Sequence, residues 1–393
     1  MKKTIVIGVT GGIAAFKVAQ LVSNLKKKGY EIHVIMTESA TKFVHPITFE
    51  TLSNNRVSID TFDRNFQYDV EHISLAKKAD LFVVAPATAN VIGKIANGIA
   101  DDMLTTTIMA CTCPKIICPA MNTNMLNNPI TQDNINKLKG YGYHFVDSGD
   151  GFLACGDVGS GRLANLDIIE DEIEIVLSKK PLLNKKILIS AGPTIEAIDP
   201  VRYITNHSSG KMGYSLAIAA RNLGADVTLV SGKTSLKKPH KVNVIDIVSA
   251  DDMFKEITSI SEKFDVIIMS AAVADYRPKN VSDSKIKKSL DMSIELERTK
   301  DILEHLGKNK KENQVLIGFA METEDLIENA KVKLEKKNAD YIIANNLNEK
   351  GAGFKVDTNK VTIISKNENK EIDLMDKSDL AYLILDYCLK GGE

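Results

Sequence analysis

The stretch Ile189–Gly213, ISAGPTIEAIDPVRYITNHSSGKMG, constrains this chain most, because it restarts a fold that the chain has already opened once. A strand-like run, Lys186 to Ser190, leads into a long polar loop, and the apolar-periodic Tyr214 to Leu223 follows. The pattern predicts strand, loop and helix. Such a loop lies beyond the carboxyl end of its strand and turns backbone N–H groups and a helix N-terminus towards its ligand, which favours anions. It matches neither GxGxxG nor GxxxxGK[ST], so neither phosphate-binding fingerprint names the ligand.

The first opening is at the N-terminus. Met-Lys-Lys followed by an apolar run to Phe16 looks superficially like a signal peptide, but Gly8, Gly11 and Gly12 break it. Thr4 to Val9 reads as a buried strand. An amphipathic helix follows, with Phe16, Ala19, Val22 and Leu25 on one face beside Val18 and Leu21, and Gly29 placed to stop it. Further strands are expected at Ile32 to Met36, Leu81 to Ala85, Lys115 to Ile117 and His144 to Val146, with helices between. This alternation predicts a parallel, doubly wound sheet whose ligands sit beyond the strand ends, where Thr10 to Gly12, Thr37 and Pro86 to Asn90 fall. The glycines are spaced GxxGG and the second strand closes on Met36-Thr37 rather than on an acid. A hydroxyl there suits a phosphate monoester better than a ribose diol, which favours FMN over NAD.

The second half repeats the plan. A helix over 168–180 runs into Pro181 and Asn184-Lys185-Lys186, which places the boundary between domains of residues 1–183 and 184–393. Strands are expected at Lys186 to Ser190, Asp226 to Val230, Val242 to Val248, Val266 to Ala271, Val315 to Phe319 and Tyr341 to Asn345. Gly224 stops the first helix. A hairpin pairs Lys360 to Ser365 with Lys370 to Leu374, and Ser378 to Leu389 forms a last helix. The expected fold class is α/β, with two consecutive doubly wound domains: a flavodoxin- or Rossmann-like FMN domain, then a Rossmann-like nucleotide domain. At 393 residues and 44% hydrophobic content, the chain can bury two such cores.

Charge limits the partners. Lys plus Arg (50) nearly cancels Asp plus Glu (51), so no global field favours a nucleic-acid backbone or an anionic membrane. No stretch of about 18 apolar residues offers a membrane span. Five cysteines, an odd number without small-scaffold spacing, fit a reducing, cytoplasmic compartment. No His/Cys set has structural-zinc spacing, and metal ligands stay unnamed.

Several stretches resemble a known family. GVTGGIAAFK (8–17), MTESA (36–40), EHISLA (71–76), APATAN (85–90), GIADDMLTT (98–106) and PAMNTNM (119–125) resemble the flavin-dependent cysteine decarboxylases. The opening loop of the second half, AAVADYRPKN (271–280) and KIKK (285–288) resemble phosphopantothenate–cysteine ligase. Together they resemble the bifunctional bacterial coenzyme A biosynthesis family, over nearly the whole chain. One departure is Leu126, where the family usually carries Trp after PxMNxxM.

The resemblance implies a chemistry for each half. Loss of carbon dioxide from a cysteine carboxylate leaves an unstabilised carbanion, so the thiol is first oxidised to create an electron sink, which a flavin can do. By resemblance His72 moves the thiol proton, Asn122 holds the substrate carboxylate, and Thr10, Gly11, Gly12, Thr37, Thr88 and Asn90 bind FMN. Taken alone, a His is usually structural or solvated and an Asn most often sits in a turn. Cys155 lies in GFLACGDVGSGRLAN (151–165), rich in Gly, Ser and Asp, which reads as a flap over the site. The resemblance makes Cys155 the proton donor to the enethiolate, whereas a free Cys is commonly an inert buried residue.

For the ligase half the resemblance implies transfer of CMP from CTP, with Mg2+, to 4'-phosphopantothenate, and displacement of CMP by cysteine. Lys285 in KIKK and Arg202 join the catalytic set, with Asn206 donating to the oxyanion of the second step. The run KIKK could equally be a solvated charge run, and Asn206 a turn or cap residue. Ala271, Asp275, Lys285, Lys300, Asp301, Ile302, Leu303, Phe319, Lys333 and Lys337 are the implied CTP contacts, the last two four apart on one helix face. The family also implies a trimer-based homo-oligomer, up to a dodecamer, with sites at subunit contacts. Two other readings stay open on the residues alone: a single-activity flavoprotein with a degenerate second half, and a flavin- or nucleotide-binding regulator.

Overall fold

Five short apolar runs, four of which a polar or glycine-containing segment separates from the next helix, assemble into the first sheet of the computed structural model, which describes residues 2–63, 70–152, 156, 158–287, 293–322, 325–346, 353 and 356–390. The chain divides into two units, Met1–Leu177 and Ser178–Glu393. In the first, β1 (Thr4–Val9), β2 (Glu31–Met36), β3 (Leu81–Ala87), β4 (Lys115–Pro119) and β5 (His144–Phe145) lie in the order β2-β1-β3-β4-β5. All their pairings are parallel. This is the flavodoxin-like order, whose switch point lies between β1 and β3. Every residue of β1 and β3 is buried, as a sheet covered on both faces requires.

The helix Ala15–Lys27 buries Ala15, Val18, Leu21, Val22 and Leu25, and Gly29 follows it at φ 92°. Phe16 corrects the expectation: it is 58% exposed rather than part of the apolar face. Periodicity places it at the margin of the stripe, and packing alone decides which side of the margin meets the core. A second difference lies in the Gly-rich stretch, where β6 (Gly149–Phe152) and β7 (Val158–Arg162) pair antiparallel. Neither shows the alternation that marks a strand in sequence, because their pairing rests on backbone hydrogen bonds.

In the second unit, β8 (Lys186–Ala191), β9 (Ile195–Ala197), β10 (Tyr203–Thr205), β11 (Asp226–Ser231), β12 (Asn243–Asp246), β13 (Val266–Met269), β14 (Tyr276–Pro278), β15 (Leu296–Arg298), β16 (Val315–Glu322), β17 (Tyr341–Asn346), β18 (Thr358–Ser365) and β19 (Asn369–Asp376) follow one another. The main sheet runs β12-β11-β8-β13-β16-β17-β18-β19. Its first six strands are parallel in the dinucleotide-fold order, and the last two form the expected hairpin. The helix Lys211–Asn222 ends before Gly224, at φ 100°, and Lys377–Lys390 is the last helix.

The opening loop of this unit is not the open polar loop its composition suggests. It contains the β9–β10 hairpin, and Thr194, Glu196 and Asp199 are buried. Buried polar groups need partners, and here they have them: Glu196 Oε1 accepts the Ala250 amide, and Thr194 Oγ1 accepts the Ala274 amide. No helix among the described residues is long and apolar enough to cross a membrane.

Candidate active sites

The first site forms where β1 and β3 end. Thr10 is fully buried, and its Oγ1 donates to the Pro86 carbonyl at 2.7 Å and accepts the Thr88 amide at 3.2 Å, tying the two strand ends together. Gly11 packs against the helix Glu38–Thr41, where a Cβ would lie 2.4 Å from Ser39 Cβ. Beside this loop opens a cavity of about 490 Å³, lined by Gly11, Gly12, Thr88 and Asn122 together with apolar Phe16, Met125 and Phe152. The outward Phe16 is therefore a wall of the site rather than a core residue.

Asn122 caps the short helix Thr123–Asn127, its Oδ1 accepting the Asn124 amide at 2.8 Å. The hairpin of β6 and β7 is fastened to the same segment: Met121 N donates to Gly161 O at 2.9 Å, and Thr123 Oγ1 to Ser160 O at 2.7 Å. Arg162 and Phe152 thereby reach the cavity wall. Leu126, in the place of the family's Trp, is partly buried against the core.

Three residues expected at the flavin do not line this cavity. Thr37 caps the helix Glu38–Thr41 through Oγ1, accepting the Ala40 amide at 3.3 Å, and does not line the cavity. Asn90 is exposed on the helix Ala89–Ala96. His72, half-buried on the helix Glu71–Lys78, also lies off the cavity of its own chain. Cys155 lies outside the described residues.

The second unit carries two cavities that share Ala271, Val273, Asp275, Phe319 and Lys333 as walls. The larger, about 520 Å³, is lined by Ala271, Asp275, Lys300, Asp301, Ile302, Leu303, Phe319, Lys333 and Lys337. These come from the end of β13, the turn after β15, β16 and the helix Leu326–Lys336 with its cap. The loop after β13 is held by Ser190 Oγ, which accepts the Ala271 amide at 3.1 Å. Asp301 caps the helix Ile302–Asn309, accepting the Glu304 amide at 2.9 Å.

Four lysines line the larger cavity, and the three expected from sequence differ. Lys337 donates to Asp301 at 2.7 Å and Glu304 at 2.8 Å; burial works against its charge, and the two carboxylates more than offset it, so its pKa is raised. Hydrogen bonds from Lys308 and Lys337 bring the Glu304 carboxyl down to about 2. Lys300 pairs with Asp251 at 3.1 Å and lies 4.7 Å from the Phe254 ring centre. Lys333 has no ion-pair partner among the described residues and lines both cavities.

The smaller cavity, about 290 Å³, opens on Asn206 and on Gly210–Gly213 at the start of the helix Lys211–Asn222. Asn206 Nδ2 donates to the Ala272 carbonyl at 2.9 Å, fixing the amide against the loop after β13. Lys285 and Arg202 line neither cavity. Arg202 pairs with Asp199 and donates to Ile286 O at 2.9 Å, holding the segment next to the exposed Lys285. Lys211, Asn345, Asn359 and Lys377 also line the smaller cavity, and sequence reasoning missed them. Lys211 stood within a recognised motif, but nothing around Lys377 separates it from an ordinary charged helix start.

Residues 1–178 match the family model described as Flavoprotein, and residues 182–390 match the DNA/pantothenate metabolism flavoprotein C-terminal domain. Fold and sites thus define a flavoprotein joined to a pantothenate-metabolism unit. The chain is 49% identical over 389 residues to the coenzyme A biosynthesis bifunctional protein CoaBC of Bacillus subtilis (strain 168), covering 98% of this chain and 96% of the relative. It is 49% identical over 390 residues to the protein of that name from Borreliella burgdorferi, with 98% of each covered, and 43% identical over 386 residues to that of Vibrio vulnificus (strain YJ016), covering 98% and 96%. The chain belongs to this bifunctional coenzyme A biosynthesis family and is an enzyme with a decarboxylase half and a ligase half. The similarity runs through both units, which favours two activities over a degenerate second half.

Proposed function

We propose that residues 1–183 form an FMN-dependent decarboxylase of 4'-phosphopantothenoylcysteine, and that residues 184–393 form the ligase that makes this compound from 4'-phosphopantothenate, cysteine and CTP with Mg2+. The observation that carries the ligase reading is that nine of the ten CTP contacts named from sequence, all but Lys285, line one cavity.

The residues of the first cavity fit FMN. The protein itself gives Gly12 no steric reason to lack a Cβ, since the nearest atom to one would be Thr88 Cγ2 at 3.8 Å. Its bare backbone is what a closely seated ligand requires. The volume of about 490 Å³ lies within the usual range for ligand pockets, and the apolar walls suit a flat ring. FMN held there would take two electrons from the substrate thiol, on which decarboxylation depends, and would return them once carbon dioxide has left, so that the cycle closes with no outside oxidant. Asn122 is then placed to hold the substrate carboxylate, Cys155 protonates the enethiolate after carbon dioxide leaves, and His72 takes the thiol proton. His72 lies off the cavity of its own chain, and a trimer-based homo-oligomer, with the site at a subunit contact, accounts for this.

In the ligase half, the 4'-phosphopantothenate carboxylate attacks the α-phosphorus of CTP and pyrophosphate leaves. The cysteine amine then attacks the acyl carbon and CMP leaves. Lys333, Lys337 and Lys300 neutralise the phosphates, Lys285 approaches from the tethered segment, and Asn206 donates to the tetrahedral oxyanion. Among the described residues no cluster of three or more His, Cys, Asp or Glu forms a resident metal site. Magnesium carried on the nucleotide needs few protein ligands, and Asp275 lines both cavities.

The test is one preparation with two readouts. The purified protein should be yellow and should release pyrophosphate from CTP only when 4'-phosphopantothenate is present. Colour without that release would remove the ligase reading.

A further inference from the structure

The helix Lys211–Asn222 begins at Gly210, φ 78°, so its N-cap position carries no side chain to bond the first turn. Its first residues line the smaller cavity, so the N–H groups of the first turn and the positive end of the helix dipole lie at that opening. A second feature faces the same space. Asn345 is 5% exposed and lines the cavity, yet its side chain has no hydrogen-bond partner among the described residues. Among the described residues no buried side-chain nitrogen or oxygen lacks a partner, so the unpaired amide of Asn345 opens into the cavity and is free to bond what enters it.

A third feature supplies charge. Lys377, also 5% exposed, lines the cavity and donates Nζ hydrogens to the carbonyls of Gly353 at 2.7 Å and Val356 at 2.6 Å. Among the described residues no carboxylate stands within ion-pair distance of it. Asp357 attracts it from further away, but that side chain is 81% exposed and pairs with Lys211 at 2.6 Å. Burial, followed by repulsion from Lys211, pulls the Lys377 pKa below its ordinary value. Burying an ammonium without a counter-ion costs free energy, and two carbonyls offset only part of it. The missing component is an anion.

We propose that Lys377 is a binding residue of the ligase site, its buried charge balanced by a phosphoryl group of a substrate held at the start of the helix Lys211–Asn222. The proposal rests on the ligase reading above. Two substrates carry such a group: CTP in its β- and γ-phosphates, and 4'-phosphopantothenate in its monoester.

Lys377→Gln in the full chain separates charge from scaffolding, because a glutamine amide can still donate to both carbonyls but carries no charge. Binding of CTP, CMP, 4'-phosphopantothenate and pantothenate would be measured by calorimetry for the natural protein, Lys377→Gln and Lys377→Arg. Removing one charged contact should weaken the affected ligand roughly 10- to 100-fold. Weaker CTP with unchanged CMP would support the proposal and identify the nucleotide as the source. Weaker 4'-phosphopantothenate with unchanged pantothenate would support it and identify the monoester. Arginine should retain most of the affinity. Natural affinity in Lys377→Gln, or equal loss for phosphorylated and unphosphorylated partners, overturns the proposal. Failure of the natural protein to bind either phosphorylated substrate would instead overturn the ligase reading. An unchanged melting transition of the ligase unit in both variants verifies that it is folded, and unchanged decarboxylation of supplied 4'-phosphopantothenoylcysteine verifies that the effect is confined to that unit.

Discussion

Asp199 and Arg202 form an ion pair across one tight turn, and the same carboxylate joins two distant segments of the ligase unit. It accepts the amides of Val201 at 2.8 Å, Arg202 at 2.9 Å and Ile286 at 3.1 Å, while Arg202 returns a bond to the Ile286 carbonyl. The loop that carries Asn206 and the segment that carries Lys285 therefore share one anchor. Hydrogen bonds from Arg202, then from the backbone amides, hold the Asp199 carboxyl well below the usual carboxylate range.

Asp199→Asn should therefore slow CTP-dependent ligation, on the order of 10²-fold if Lys285 is displaced by about 1 Å. Decarboxylation of supplied substrate should stay unchanged. The pKa is lowered on folding, so the stability it confers is complete above the unfolded value of about 3.9 and is lost as pH falls through the folded value. The melting-temperature gap between natural protein and variant should be constant near neutrality and narrow in acid. A gap that widens in acid would contradict the assignment.

Gly161 should not tolerate a side chain. Its φ is 127°, and a Cβ would lie 2.2 Å from the Met121 carbonyl oxygen. Gly161→Ala is expected to cost about 1–3 kcal/mol in backbone strain and to loosen the hairpin at the flavin cavity. Flavin retained per chain should fall while CTP-dependent pyrophosphate release persists. Full flavin content in Gly161→Ala would show that the hairpin does not shape the site.

His72→Asn and Asn122→Asp should each abolish decarboxylation, and His72→Asn should keep its flavin because the Thr10–Gly12 loop is untouched. If the site joins His72 of one copy to Asn122 of another, co-expression of the two variants should restore part of the activity, since some contacts collect both natural residues. Complementation absent in verified mixed oligomers would place both residues in one chain's site.

Asn206→Asp keeps the size of the side chain but replaces the amide donor, which also bonds the Ala272 carbonyl, with a negative charge beside the developing oxyanion. Loss of one such donor typically costs about 10²- to 10³-fold in rate. Pyrophosphate release should continue for one turnover while the acyl-cytidylate builds up and little amide forms. A single-turnover quench with labelled 4'-phosphopantothenate follows both species. Proportional loss of both steps would leave Asn206 structural, as its bond to Ala272 O already allows.

Local pattern alone determined a great deal. Buried apolar runs such as Thr4–Val9 and Lys186–Ala191 read as strands, Gly29 and Gly224 as helix stops, and the alternation as two doubly wound sheets. Those signals are local because hydrophobic period and turn chemistry act over a few residues. Only the tertiary structure decided that Phe16 turns outward to wall a cavity, that Thr37 caps a helix, and that the polar loop after β8 forms a hairpin and buries Thr194, Glu196 and Asp199. It alone brought Ala271, Leu303, Phe319 and Lys333 to one cavity and set Lys377 beside Asn345 and the start of the helix Lys211–Asn222. In sequence Lys377 is one lysine among many. Whether such a side chain keeps its water depends on what distant segments pack around it, and no spacing along the chain encodes that.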